Sequence, residues 1–219
     1  MSLILHFPYV FAAPSPVHMC PRSGYFTSND TYETNLKMLM GYLSHETLAQ
    51  VGCADCVSEA KSHVREYCHN NKAGTIWYDN CLLKYSNRNF FGRVDANEVV
   101  VCAANTVNGS EPVAVSLVKE NKLLRELAKK ASETPQMYAT GNFKLDESRK
   151  LHGLVQCTRD LSRNNCTKCL DKVIKRQLQP LCCNMNKGNG YCSVTSSSCF
   201  VRYDTSVVKT NRKILGFKN

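Results

Sequence analysis

Long apolar runs are missing from this 219-residue chain, and no stretch reaches the roughly 18 to 20 apolar residues that a bilayer-spanning helix needs. Tryptophan occurs once, as Trp77. In "TIWYDNC" it reads as core packing on a strand rather than as a platform for stacking a sugar. HExxH, GxSxG, a phosphate-cradling glycine loop and a paired-carboxylate motif are all absent, which removes the usual signatures of metalloprotease, serine hydrolase, nucleotide-binding and glycosidase chemistry. The six histidines, His6, His18, His45, His63, His69 and His152, show no ligand spacing and read one by one as surface or core residues. Basic residues are missing ahead of the apolar stretch at 3–13. That stretch ends in small residues and resembles the apolar and cleavage regions of a secretory leader without its usual cationic start, with a buried N-terminal strand as the alternative reading.

Cysteine, in contrast, is abundant. Thirteen in 219 residues would be exposed to oxidation and misligation in a reducing cytosol, so the count favours an oxidising compartment. The net charge of +10 is unevenly placed. Residues 1–101 carry 8 Lys and Arg against 9 Asp and Glu, a balance of −1, whereas residues 102–219 carry 20 against 9, a balance of +11. A field of that size can concentrate anionic partners, although the basic run "KVIKRQ" also reads as the solvated face of a helix. No base-reading or stacking residues accompany it, which argues against nucleic acid as the partner.

The two halves share one cysteine grammar. Cys53 and Cys56 ("CADC") precede Cys68 and Cys81, and Cys166 and Cys169 ("CTKC") precede Cys182 and Cys199. The last cysteine of each set opens a strand-like run, "CLLKYSN" or "CFVRYDT". Cys20 and Cys102 stand ahead of amphipathic runs in which Leu36, Leu39, Met40 and Leu43, and Leu123, Leu124, Leu127 and Ala128, recur at helical spacing. A second helix is expected after each CxxC, stopped in the second copy near Pro180. The interval from Cys20 to Cys53 is 33 residues and that from Cys102 to Cys166 is 64, so the first copy is 31 residues shorter. The extra stretch of the second copy, "MYATGNFKLDESRKLHGLVQC", reads as two strand-like pieces ending in Cys157. In the first copy Ser44 stands where the matching cysteine would be.

In this grammar the chain resembles the plant cysteine-rich repeat secretory proteins, built from ginkbilobin-like salt-stress and antifungal domains. Their C-x8-C-x2-C signature is met in full by "CTRDLSRNNCTKC" and, without its first cysteine, by "SHETLAQVGCADC". The resemblance implies an α+β fold of two tandem disulfide-stapled repeats. Each is an antiparallel sheet of about five strands on two helices, the first short of a hairpin. The expected organisation is a leader at 1–13, an incomplete repeat at 14–96, a full repeat at 97–208 and a basic tail at 209–219.

By position, the resemblance implies the bridges Cys20–Cys68, Cys56–Cys81, Cys102–Cys182, Cys157–Cys166 and Cys169–Cys199. Cys183 and Cys192 remain for a further pair, and Cys53 is left as a free thiol. A zinc site is disfavoured because the two CxxC pairs lie 113 residues apart, and a redox CxxC because the family ties each cysteine elsewhere. No metal and no cofactor are expected. The antifungal relatives hold mannose with an Asn, an Arg and a Glu. The matching positions here are Pro21, Thr75 and Ser86 in the first repeat and Ala103, Ser193 and Asp204 in the second, so only Asp204 keeps any of that chemistry. Sequons at Asn29 and Asn108 are candidate glycan sites, whereas Asn165 abuts a cysteine of the signature. The function implied is a secreted, non-enzymatic binding or recognition module of the apoplast in stress or defence. Its ligand would be a carbohydrate or an anionic cell-wall polymer. The alternatives are a mannose-binding antifungal lectin, a thiol-redox enzyme or sensor, and the truncated ectodomain of a cysteine-rich receptor-like kinase.

Overall fold

The computed structural model describes residues 2–6, 16–47, 53–78, 81–95, 98–104, 113–145, 147, 149–177 and 190–207. They fall into two compact units, Met1–Phe91 and Gly92–Asn219, each with its own apolar core.

The first unit is built from β1 (Ser2–His6), β2 (Val17–Met19), α1 (Thr31–Thr47), α2 (Cys53–Tyr67), β3 (Ala73–Trp77) and β4 (Cys81–Ser86). Its antiparallel sheet runs β1-β4-β3-β2. Helix α1 starts where Asp30 accepts the Tyr32 N–H at 3.1 Å and Glu33 accepts the Asn29 N–H at 2.9 Å, an acidic start that satisfies first-turn donors. Leu36 and Met40 of α1 then meet Ala60 and Val64 of α2 over Ile76, Leu83 and Tyr85 of the sheet. Trp77 is buried on β3.

The second unit contains β5 (Glu98–Ala104), α3 (Val113–Glu133), β6 (Tyr138–Lys144), β7 (Arg149–Cys157), α4 (Arg163–Gln177), β8 (Gly190–Ser196) and β9 (Cys199–Val207), with sheet order β5-β8-β9-β7-β6. Helices α3 and α4 pack on one face of the sheet. Gly141 and Gly153 lie opposite each other on β6 and β7, directly beneath Leu123 and Leu127 of α3. A Cβ at Gly153 would stand 2.8 Å from Leu127 Cδ1, so the glycine pair allows this close approach of helix to sheet.

One expectation changes in detail. The helices do not follow the CxxC motifs but contain them: α2 begins at Cys53, and α4 begins three residues ahead of Cys166. In α4 the cause is Ser162, whose hydroxyl accepts the Asn165 N–H at 3.2 Å and whose carbonyl accepts the Cys166 N–H at 2.8 Å. Both cysteines thereby sit on the first two turns.

The two sheets correspond strand for strand, with β2, β3 and β4 in the places of β5, β8 and β9. Among the described residues, the hairpin β6–β7 has no counterpart in the first unit. The edge of β4 where it would lie holds β1, from the expected leader, which pairs antiparallel to β4 as β7 does to β9.

Candidate functional site

Among the described residues, four bridges staple this framework. Cys20–Cys68 and Cys56–Cys81 staple the first unit, and Cys157–Cys166 and Cys169–Cys199 the second, with Cα separations of 5.3 to 6.3 Å. The two cysteines of "CTKC" therefore bond to different strands, β7 and β9, and not to each other. Cys192 is also disulfide-bonded. Cys182 and Cys183 lie outside the described residues, as do the side chains of Cys53 and Cys102.

Alternation along β9 sends Val201 and Tyr203 into the helical core and leaves Arg202 and Asp204 on the opposite face of the sheet. Across that face, register sets Asn142, His152, Asp204, Tyr191 and Ala103 in one row, with Ser193 and Arg202 in the next. The fold thus gathers the positions of Ala103, Ser193 and Asp204 on three neighbouring strands. Asp204 is half-buried, and desolvation holds its carboxyl above the usual range while His152 and Arg202 pull it back down. In the first unit Thr75 is buried on β3 opposite Met19, and Ser86 lies opposite Ala73.

A cluster that sequence reading missed lies in the first unit. The ring of His18 stacks on Tyr67 with centroids 4.4 Å apart, and His63 packs against Tyr67 and Tyr78. Burial first, then the nearby Glu59 and Tyr67, push the Tyr78 phenol up to about 12, so it keeps its proton at neutral pH, and its hydroxyl shares a hydrogen bond with Nδ1 of His63. The only signal in the sequence is the i, i+4 spacing of His63 and Tyr67 on α2. A separate pocket of about 340 Å³ opens beside Cys68, with Phe26, Leu36, Arg65, His69 and Tyr85 in its lining.

The helical layer of the second unit carries its charge. Lys122, Arg125, Lys129 and Lys130 of α3 and Lys168, Lys172, Lys175 and Arg176 of α4 are exposed, while Leu124, Leu127, Val173 and Ile174 on the same helices are buried. Among the described residues, no group of three or more His, Cys, Asp or Glu side chains converges as a metal site would. No described helix is long and apolar enough to cross a membrane.

Of the sequon residues, Asn29 is exposed in a turn with φ of 69°, and Asn108 lies outside the described residues. Asn165 is occupied: its side-chain N–H donates to the Gly92 carbonyl at 2.8 Å.

A profile of the family described as salt stress response/antifungal matches residues 45–88 and 102–206. The chain belongs to that family. It is 36% identical over 230 residues to an antimicrobial ginkbilobin-2-like protein of Castanea crenata, covering 93% of this chain and 92% of that one. Cysteine-rich repeat secretory protein 38 of Arabidopsis thaliana is 35% identical over 216 residues, covering 85% and 82%. Cysteine-rich receptor-like protein kinase 25 of the same plant is 28% identical, with only 31% of its length covered. Among solved structures, the tandem DUF26 ectodomain of the Arabidopsis receptor-like protein PDLP8 superposes with a TM-score of 0.67 at 19% identity, over 85% of this chain and 96% of that one. The family's cysteine-rich repeat members are secretory proteins, and this disulfide-bonded chain is a secreted, extracellular one.

Proposed function

We propose that this family member acts in the apoplast as a non-enzymatic binding module in stress or defence, and that its second unit engages anionic polymers of the cell wall. The observation that carries the reading is the basic helical layer. Eight Lys and Arg side chains of α3 and α4 stand exposed on a unit whose residues 102–219 carry a balance of +11, where they can concentrate a polyanion without a shaped pocket. The antimicrobial relative and the secretory relatives support the stress and defence setting. The disulfides weigh against the thiol-redox alternative, since Cys166 and Cys169 are each bonded to a different strand. Mannose binding is disfavoured because the gathered positions hold Ala103 and Ser193 beside Asp204. The test is retention on an immobilised anionic polysaccharide as salt is raised, compared with a variant in which Lys129, Lys130, Lys172 and Lys175 are changed to Glu.

A further inference from the structure

The edge of β4 is built like the inside of a sheet. With β1 in place Cys81, Leu82, Leu83 and Tyr85 are buried, the strand has no proline, and its one charge, Lys84, lies over the Phe90 ring at 4.6 Å. Natural edge strands are usually blunted by prolines, exposed charges or bulges, because an unpaired row of N–H and C=O groups invites another strand. In this structure the edge is filled by β1, whose five residues come from the segment 1–13 expected to be removed on export. Without β1 the sheet keeps three strands, one of them only three residues long, which is marginal for independent stability.

The second unit shows what completes such an edge. There β7 pairs with β9, and its last residue, Cys157, lies opposite Cys199 and is bonded to Cys166, the first cysteine of "CTKC". In the first unit the position opposite Cys81 is taken by His6, and the first cysteine of "CADC" is Cys53.

We infer that, once the leader is removed, the edge of β4 accepts an extended strand of another protein with the chemistry of β7, which places a cysteine opposite Cys81 and closes a disulfide with Cys53. The inference rests on export with loss of residues 1–13. Main-chain hydrogen bonds supply the affinity, as in other strand-addition complexes, and the cysteine locks the register. The covalent step is an exchange. The Cys53 thiolate attacks the incoming cysteine, which arrives as a mixed disulfide with a small thiol such as glutathione. The Cys53–cysteine bond forms, the mixed disulfide breaks, and the small thiol leaves as a thiolate that takes up a proton.

The probe is a peptide with the sequence of β7, "RKLHGLVQC", prepared as its glutathione mixed disulfide. It is incubated with the chain secreted from its own leader, and intact mass is read under non-reducing conditions. One adduct is expected, mapped to Cys53 and absent in Cys53→Ser. Its rate should fall at least tenfold for a peptide carrying Leu154→Pro and Val155→Pro, and similarly for a chain that retains residues 1–13, in which β1 occupies the edge. In Cys53→Ser, the unmodified peptide should still slow amide exchange in β4. Equal rates for the two peptides would reduce Cys53 to an accessible thiol and overturn the inference. So would adducts on other cysteines, no adduct at all, or a secreted chain whose mass still includes residues 1–13.

Discussion

His6 lies opposite Cys81 across β1 and β4, at the register where Cys157 lies opposite Cys199 across β7 and β9. A segment from the far N-terminus therefore stands in for a strand that the second unit draws from its own hairpin. Removing residues 1–13 should leave alternate amides of Cys81–Ser86 exchanging freely, while those bonded to β3 stay protected. Residue-resolved hydrogen exchange on the two forms measures this. Uniform protection of β4 in the shorter form would show that the edge is covered some other way.

Much of this architecture was legible in the residues, and the exceptions have physical reasons. Leu36 and Met40, and Leu123, Leu124, Leu127 and Ala128, announce both leading helices by their spacing, and all six are buried. Cys81 and Cys199 open the strands their apolar runs suggest. The sequence left the segment of β1 open between leader and strand, because the two share an apolar composition, and its pairing with β4 could not be read at all. The start of α4 hinged on one serine hydroxyl, a cap that apolar periodicity does not register. The His18–Tyr67 and His63–Tyr78 contacts join residues from strand, helix and loop that only the sheet register brings together. The row containing Asp204 likewise appears only once five strands are in order.

Two glycines should respond in opposite directions. Gly153→Val puts carbon into the contact with Leu123 and Leu127 and should destabilise the second unit by about 1 to 3 kcal/mol, as overpacking of a filled core does. Gly41→Ala, on α1 with nothing within 4 Å of the added Cβ, should stabilise the first unit by about 0.5 to 1 kcal/mol. Denaturant midpoints of the two variants check both signs.

Glu33 ties α1 to α2. Its hydrogen bond from Lys37, then that from the Asn29 N–H, with Arg65 also in contact, hold its carboxyl down to about 2 from an ordinary 4.5. A carboxyl with a lowered folded-state pKa stabilises the protein fully above the unfolded value and loses that contribution as pH falls through the folded one. The first unit should therefore weaken between about pH 4.5 and 2. Glu33→Gln should flatten that part of the stability profile, and urea titrations across the range will show whether it does.

Asp204 works the other way. Because burial raises its carboxyl, its charged form disfavours folding, and Asp204→Asn should leave neutral-pH stability unchanged or improve it. The same residue is the remaining candidate for a sugar contact. Calorimetric titration with mannose and mannan should show no specific binding. Saturable binding lost in Asp204→Ala would restore the lectin reading.

The most direct test of the functional account is elution of the secreted protein from an immobilised anionic polysaccharide. The screening length shortens from about 10 Å at 0.1 M salt to about 3 Å at 1 M, so retention through exposed lysines and arginines should collapse over that range. It should already be lost at low salt when Lys129, Lys130, Lys172 and Lys175 are changed to Glu. Retention that persists at 1 M salt, or survives the four reversals, would contradict a polyanion-binding second unit.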